Sequence, residues 1–330
     1  MKLFEKTGKQ NFKIKRIRNF YQLLLFCAFS LLSNQMKAQL TDGIVVYLKS
    51  AGDETMYLAP KNGGTANQTL IAVHPKSAAN EKACQWRLED AGARYFYLRN
   101  VKSNKMLDLK GGEGKLGTPL WLWTANRSDS QKFIFRQFRR DPSLNLLESK
   151  VGFHLRMDLQ HSVPVSGSEA VMNILTETRR VQKWRIVPAN VKQKYKVTFQ
   201  SFKCIKLDDP GDEIELFGKI WARGFKDDRL LGGVNLIWER TSKHLIDLKK
   251  GQSFTVNASY TFEANNADMA AGKIAFDLVI DLYEHDSTSA NELFSIGDNW
   301  MLSDGFGRSK TRQFEVEGTI IEIKWRVDVL

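Results

Sequence analysis

From Asn104 to Phe135 the chain changes between apolar and polar every few residues. Met106-Leu107-Asp108-Leu109 is a short alternating run, and Gly111, Gly112, Gly114 and Gly117 punctuate the turn after it. Pro119 to Trp123 is a second short strand. A polar loop from Asn126 to Ser130 then leads into Gln131 to Phe135. Short apolar runs bounded by Gly, Asn, Asp and Ser predict an all-β unit of short strands joined by turns. Trp121 and Trp123 share parity, so they face one side of their strand. A partly exposed pair fits this better than two rings that are both fully buried.

The pattern recurs. Gln85-Trp86, Gln131-Lys132-Phe133 and Gln182-Lys183-Trp184 place a glutamine at or near an aromatic residue, 46 and then 51 residues apart. Asp108 and Asp158 are 50 apart and precede their glutamines by 23 and 24 residues. Periodicity on this scale outranks local propensity as evidence of architecture. Three units of about 45 residues, none able to bury its apolar face alone, predict a β-trefoil over residues 39–189. The glutamines are expected to tie loop backbone that would otherwise go unpaired.

The second unit resembles a repeat of the ricin-type β-trefoil lectins. The resemblance rests on Asn104-Lys105-Met106-Leu107-Asp108, on Gly117 to Trp123 and on Ser130-Gln131-Lys132-Phe133. It implies a carbohydrate site in which Asp108 accepts hydrogen bonds from sugar hydroxyls and Trp123 stacks on the ring. Trp121, Ser130, Gln131 and, in the third unit, Asp158 complete the expected carbohydrate-binding set. Two positions depart from the galactose-type pattern. Trp121 stands where the family has a glutamine, and Ser130 where it has an asparagine. Turn formation is the alternative role for Asp108, and core packing for the two tryptophans. The first unit has Met56 to Pro60 where the acid belongs, with His74 as a candidate ring. The third keeps Asp158 but places Leu175 where the ring belongs. One good site, in the second unit, is expected.

From Pro188 to Lys194 the chain reads as a polar bridge, and beyond it the pattern changes. Strands are expected at Tyr195–Ile205, Ile214–Ala222, Val234–Trp238, Ser253–Phe262, Lys273–Tyr283, Asn299–Leu302 and Thr311–Val329, with no long amphipathic helix. Seven or eight strands with spaced turns predict an antiparallel β-sandwich over residues 190–330. Two acidic loops stand out, one with Asp208, Asp209, Asp212 and Glu213, the other with Glu284, His285 and Asp286. The second resembles the acidic loop of C2-type sandwiches. Asp209, Asp212, Glu284 and Asp286 are the candidate metal ligands, because clustered carboxylates suit calcium, which takes six to eight oxygens. Solvated turns are the alternative.

Composition adds three constraints. The 330 residues carry a net charge of +12, but residues 1–38 contribute +7 of it, leaving +5 for the rest. With no aromatic-basic pattern either, no nucleic-acid partner is expected. Residues 1–38 read as a signal peptide, with a basic segment through Arg18, an apolar run from Leu23 to Leu32 and cleavage after Ala38. The run is too short for a membrane span, which needs ~20 residues. The expected location is therefore outside the cytoplasm: secreted, cell-surface or periplasmic. Of the three cysteines, Cys84 and Cys204 follow this segment, and they are expected as buried small hydrophobes rather than a disulfide framework.

The fold expected is thus all-β, a β-trefoil followed by an antiparallel β-sandwich. Zinc spacing, a phosphate loop and a nucleophile elbow are all missing from the sequence, and nothing places two carboxylates together as glycoside hydrolysis requires. The leading expectation is a non-enzymatic, carbohydrate-binding protein whose partners are glycans or glycoconjugates. The alternatives are a toxin-like, membrane-active protein with a lectin targeting domain, or a glycan-processing hydrolase.

Overall fold

The computed structural model describes residues 40–152, 154–207, 213–285, 293–316 and 318–330. The segment read as a signal peptide lies outside them, as do Asp209, Asp212 and Asp286 of the expected calcium set. Glu284 is described, at the end of a strand where it faces Leu216 in register. Among the described residues, no three His, Cys, Asp or Glu side chains cluster closely enough to hold a metal ion.

The fold is all-β, a trefoil followed by an antiparallel sandwich. Twelve strands form the trefoil sheet, four to each unit. The first unit holds β1 (Val45–Ser50), β2 (Met56–Pro60), β3 (Ile71–Pro75) and β4 (Gln85–Asp90). The second holds β5 (Phe96–Asn100), β6 (Met106–Leu109), β7 (Leu120–Trp123) and β8 (Phe133–Phe138). The third holds β9 (Asp141–Ser149), β10 (Leu155–Leu159), β11 (Ala170–Ile174) and β12 (Trp184–Pro188). Pairing of β1 with β12, β4 with β5 and β8 with β9 joins the units. The hairpins β2–β3, β6–β7 and β10–β11 interlock at their ends. Leu70 bridges to Trp121, Pro119 to Val171 and Ala72 to Glu169, so each hairpin leans on the next. Trp86, Phe133 and Trp184, one aromatic per unit beside the repeating glutamine, are all fully buried. None of the three hairpins could bury these rings alone, which is why the repeat period carries the fold.

The glutamines do what their spacing suggests. Gln131 Nε2 donates to Asp108 Oδ2 at 2.8 Å and to the Thr124 carbonyl at 3.0 Å, while its Oε1 accepts from the backbone N–H groups of Asn126 and Arg127. Gln182 likewise donates to Asp158 and to the Ile174 carbonyl, and accepts from Thr176 N–H. Gln85 differs: its amide donates to the Tyr47 hydroxyl.

The second half has nine strands among the described residues, where seven or eight were expected. The strands β13 (Lys192–Lys206), β17 (Ser253–Asn265), β20 (Ser309–Val316) and β21 (Thr319–Val329) make one sheet. The other holds β14 (Glu213–Lys226), β15 (Arg229–Arg240), β16 (Ile246–Lys249), β18 (Ile274–Glu284) and β19 (Leu293–Trp300). The stretch read as one strand from Thr311 to Val329 is a hairpin. Apolar alternation continues through its turn, so that Gly318, at a φ of +88°, is the one local sign of reversal. A short α-helix, α1 (Asn266–Ala270), was not foreseen; the Asn265 side chain caps it by accepting from Ala267 N–H.

The polar bridge is not a free linker. Ala189 is fully buried and β13 begins at Lys192. Asn266, fully buried on α1, donates to the carbonyls of Val45 and Ala189 and accepts from Val45 N–H. One side chain of the sandwich thus closes the first and last strands of the trefoil. Residues 40–330 accordingly form one compact unit. Cys84 and Cys204 are buried free thiols, and burial pushes the Cys84 thiol up to about 11.

Candidate carbohydrate site

Hairpin β6–β7 sets the site by its register. Met106 faces Trp123, Leu107 faces Leu122 and Asp108 faces Trp121. Leu120 and Leu122 are fully buried, which turns Trp121 and Trp123 to the other face, where both are half-buried. The two indoles stack with centroids 5.0 Å apart and planes 17° from parallel. Such a stack fixes both rings before any ligand arrives.

Asp108 is only 4% exposed. One carboxylate oxygen accepts from Gln131, and Oδ1 has no hydrogen-bond partner within the protein. Burial raises its pKa above the usual 3.8, against the opposing pull of Gln131, Ser130 and the Leu109 N–H nearby. Ser130, 7% exposed, shares a hydroxyl contact of 2.8 Å with Ser128. Asp108, Trp121, Trp123 and Ser130 line one depression of about 570 Å³, a size ordinary for a small-molecule site.

Three expectations need correction. Gln131 is fully buried with both amide hydrogens and its oxygen engaged, so it positions Asp108 and offers nothing to a ligand. Asp158 is also fully buried; it accepts from Asn173, Arg179, Gln182 and its neighbour's N–H, which leaves no capacity for a sugar. The position matching Trp123 in the third unit is Asn173, because Asn173 faces Arg156 as Trp123 faces Met106. Leu175 lies past the end of β11, since the third unit carries one more residue between this strand and its glutamine. In the first unit the register does put His74 at the ring position, opposite Tyr57, with Ala59 where the acid stands elsewhere.

Sequence reasoning missed Val151 and Asp129, which also line the depression. Asp129 is held at the rim by Lys132 and Lys150, at 2.9 and 3.0 Å. Val151 arrives from the turn between β9 and β10. That turn is seated by glycines: a Cβ on Gly114 would stand 2.2 Å from the Gly152 nitrogen, so the two loops meet backbone to backbone. The pairing of Gly114 with Gly152, both outside the repeat motif, was the available signal.

Residues 35–123 match the family described as ricin-type beta-trefoil lectin domain-like. No curated protein is significantly similar to the chain. Among solved structures, the designed threefold symmetric protein ThreeFoil is 19% identical with a TM-score of 0.40, covering 44% of this chain and 99% of its own. The ricin B-like lectin of Macrolepiota procera, in complex with lactose, is 17% identical with a TM-score of 0.39, over 46% of this chain and 99% of its own. An exo-beta-1,3-galactanase from Clostridium thermocellum is 20% identical with a TM-score of 0.40, over 46% of this chain and 31% of its own.

Proposed function

We propose that the protein binds carbohydrate without chemistry, through the depression of its second trefoil unit. One observation carries this reading: a buried carboxylate oxygen without a partner stands beside a pre-stacked indole pair. An unsatisfied buried acceptor costs about 1–3 kcal/mol, and a sugar hydroxyl reaching Oδ1 would relieve that cost. The half-exposed indole supplies the flat apolar surface for the C–H face of the ring. The match of residues 35–123 to a lectin-like family supports the same reading.

The order of basic, apolar and polar segments in residues 1–38 supports export, and so glycans met outside the cytoplasm. The test of function is a glycan array probed with the full-length protein and its Trp123→Ala variant. Binding to a defined glycan set by the parent, lost in the variant with an unchanged melting curve, is the expected result. A parent protein that binds no glycan, or a variant that keeps the whole pattern, would overturn the proposal.

A further inference from the structure

The sandwich carries an apolar outer face that its core does not use. Along β14, Ile214, Leu216, Ile220 and Ala222 are fully buried and point into the sandwich. The alternate positions point the other way, and there Phe217, Trp221 and Phe225 recur every fourth residue, each half-buried. Register fills out the rows. Trp221 faces Leu236 on β15 and Val279 on β18, and Phe225 faces Leu230. Phe217 faces Tyr283 and stacks on it, with centroids 5.2 Å apart and planes 20° from parallel. Leu230 and Leu236 are 49% and 48% exposed, so the rows stay open on the β15 side. On β19 the Trp221 row ends at Gly297, where a Cβ would meet nothing within 4 Å. Rows of paired charge alternate with these apolar rows. Lys219 faces Glu239 and binds it at 2.9 Å, and Arg223 faces Asp277 and grips it through both Nε and Nη2.

We propose that this outer face is a second binding site, for a neutral polysaccharide chain laid along β14. It belongs to the sandwich and goes beyond the trefoil function proposed above. Successive rings on β14 stand about 13 Å apart, four residues at a strand's rise. That step is longer than one pyranose, so a chain sets a sugar on each ring and crosses the charged rows with the sugars between. A hydroxyl both donates and accepts, which lets it serve either member of an ion pair. Arg223 gives two N–H donors to Asp277 and carries three more. A protein partner fits this face poorly, because the core of a protein interface is depleted of charge and would have to strip water from two ion pairs. A lipid surface meets the same cost. Neutrality follows from the pairing: Lys219 and Arg223 each have an acid beside them, so an acidic polymer finds no uncompensated cation in these rows. Two sites on one chain would hold a polymer more firmly than either alone.

The experiment is affinity electrophoresis of the full-length Trp123→Ala variant, whose trefoil depression has lost its stacking ring. The native gels contain hydroxyethylcellulose, laminarin, galactomannan or arabinoxylan, with alginate as the acidic control. The short glycans of an array reach one ring at a time, so the array reads the trefoil site and the polymers read this face. Retardation by at least one neutral polymer, and none by alginate, is expected. Adding Trp221→Ala is expected to weaken the binding about tenfold or more. Leu236→Lys sets an ammonium beside the indole at an already exposed position, and is expected to do the same with an unchanged melting curve. No retardation by any of the four neutral polymers, retardation by alginate alone, or retardation that survives both substitutions in folded protein would overturn the inference. So would a dimer in sedimentation that Leu236→Lys dissolves, which gives the face to a second copy, or flotation with phosphatidylcholine vesicles that Leu236→Lys abolishes, which gives it to a membrane.

Discussion

Asp108 and Asp158 occupy the same register in successive hairpins, each one residue before the end of its strand, yet only Asp108 keeps an oxygen without a partner. The Leu159 N–H serves Oδ1 of Asp158 at 2.7 Å, while Asn173 and Arg179 crowd its Oδ2, which Gln182 already engages. Asn173 stands where the second unit has Trp123 and donates to Asp158 at 2.9 Å, and Arg179 reaches the same carboxylate at 2.5 Å. One aspartate has become structural while its counterpart stays available.

Asp158→Ala should therefore cost stability and leave glycan binding intact. Removal of the carboxylate strands the buried amide of Gln182 and the charge of Arg179. An expected loss of about 2–4 kcal/mol, read by urea unfolding, would accompany an unchanged binding isotherm.

Asp108→Asn should do the reverse. Because burial raises the Asp108 pKa in the folded protein, ionised Asp108 disfavours folding at pH values above that raised pKa. The variant should be more stable than its parent at about pH 7. The gap should shrink as pH falls through the folded pKa and disappear below the ordinary 3.8, where both the folded and unfolded parent are protonated. Denaturant midpoints across a pH series measure this. A gap that widened on acidification would contradict the direction of the shift.

Gln68→Gly should stabilise the trefoil. Gln68, Gly117 and Gly167 hold equivalent positions at the hairpin tips, with φ of +68°, +77° and +89°, and each N–H bonds across to the next hairpin. Only Gln68 pays for a Cβ there. The left-handed conformation costs about 1–2 kcal/mol for an ordinary residue, offset by the greater freedom glycine loses on folding. The expected net gain is about 0.5–1 kcal/mol by thermal or chemical unfolding. Gln68→Ala keeps the strain and should show no such gain.

Gly114→Ala should damage the site from a distance. The added methyl meets the Gly152 backbone, and the turn that carries Val151 has to move away. A destabilisation of about 1–3 kcal/mol is expected, with weaker glycan binding even where the variant remains folded. Calorimetry on the folded fraction separates the two effects.

The repeat period made the trefoil legible, because three buried aromatics and two aspartate–glutamine pairs recur at nearly fixed spacing. Parity alone placed Trp121 and Trp123 on one partly exposed face. Saturation was not legible. That Gln131 and Asp158 have no capacity left depends on Asn126 and Arg179, which arrive from loops whose lengths differ between units, and on Asn173 standing at the ring position of β11. Val151 was hidden for a related reason, since it comes from a turn of the third unit, not from the unit that holds the site, and owes its position to a contact between two glycines. In the second half, Asn266 escaped notice because a helix of five residues leaves no periodic trace.

The most direct measurement is the affinity of Asp108→Asn for a glycan that the parent protein binds. Gln131 donates to one oxygen of this side chain, so the asparagine must turn its carbonyl to Gln131 and its amide toward the ligand. An acceptor for the sugar hydroxyl is thereby replaced by a donor in the same shape. Affinity by calorimetry is expected to fall about ten- to a hundredfold in a protein at least as stable as its parent. Affinity equal to the parent's, in a folded variant, would contradict the assignment of Asp108 as the sugar acceptor.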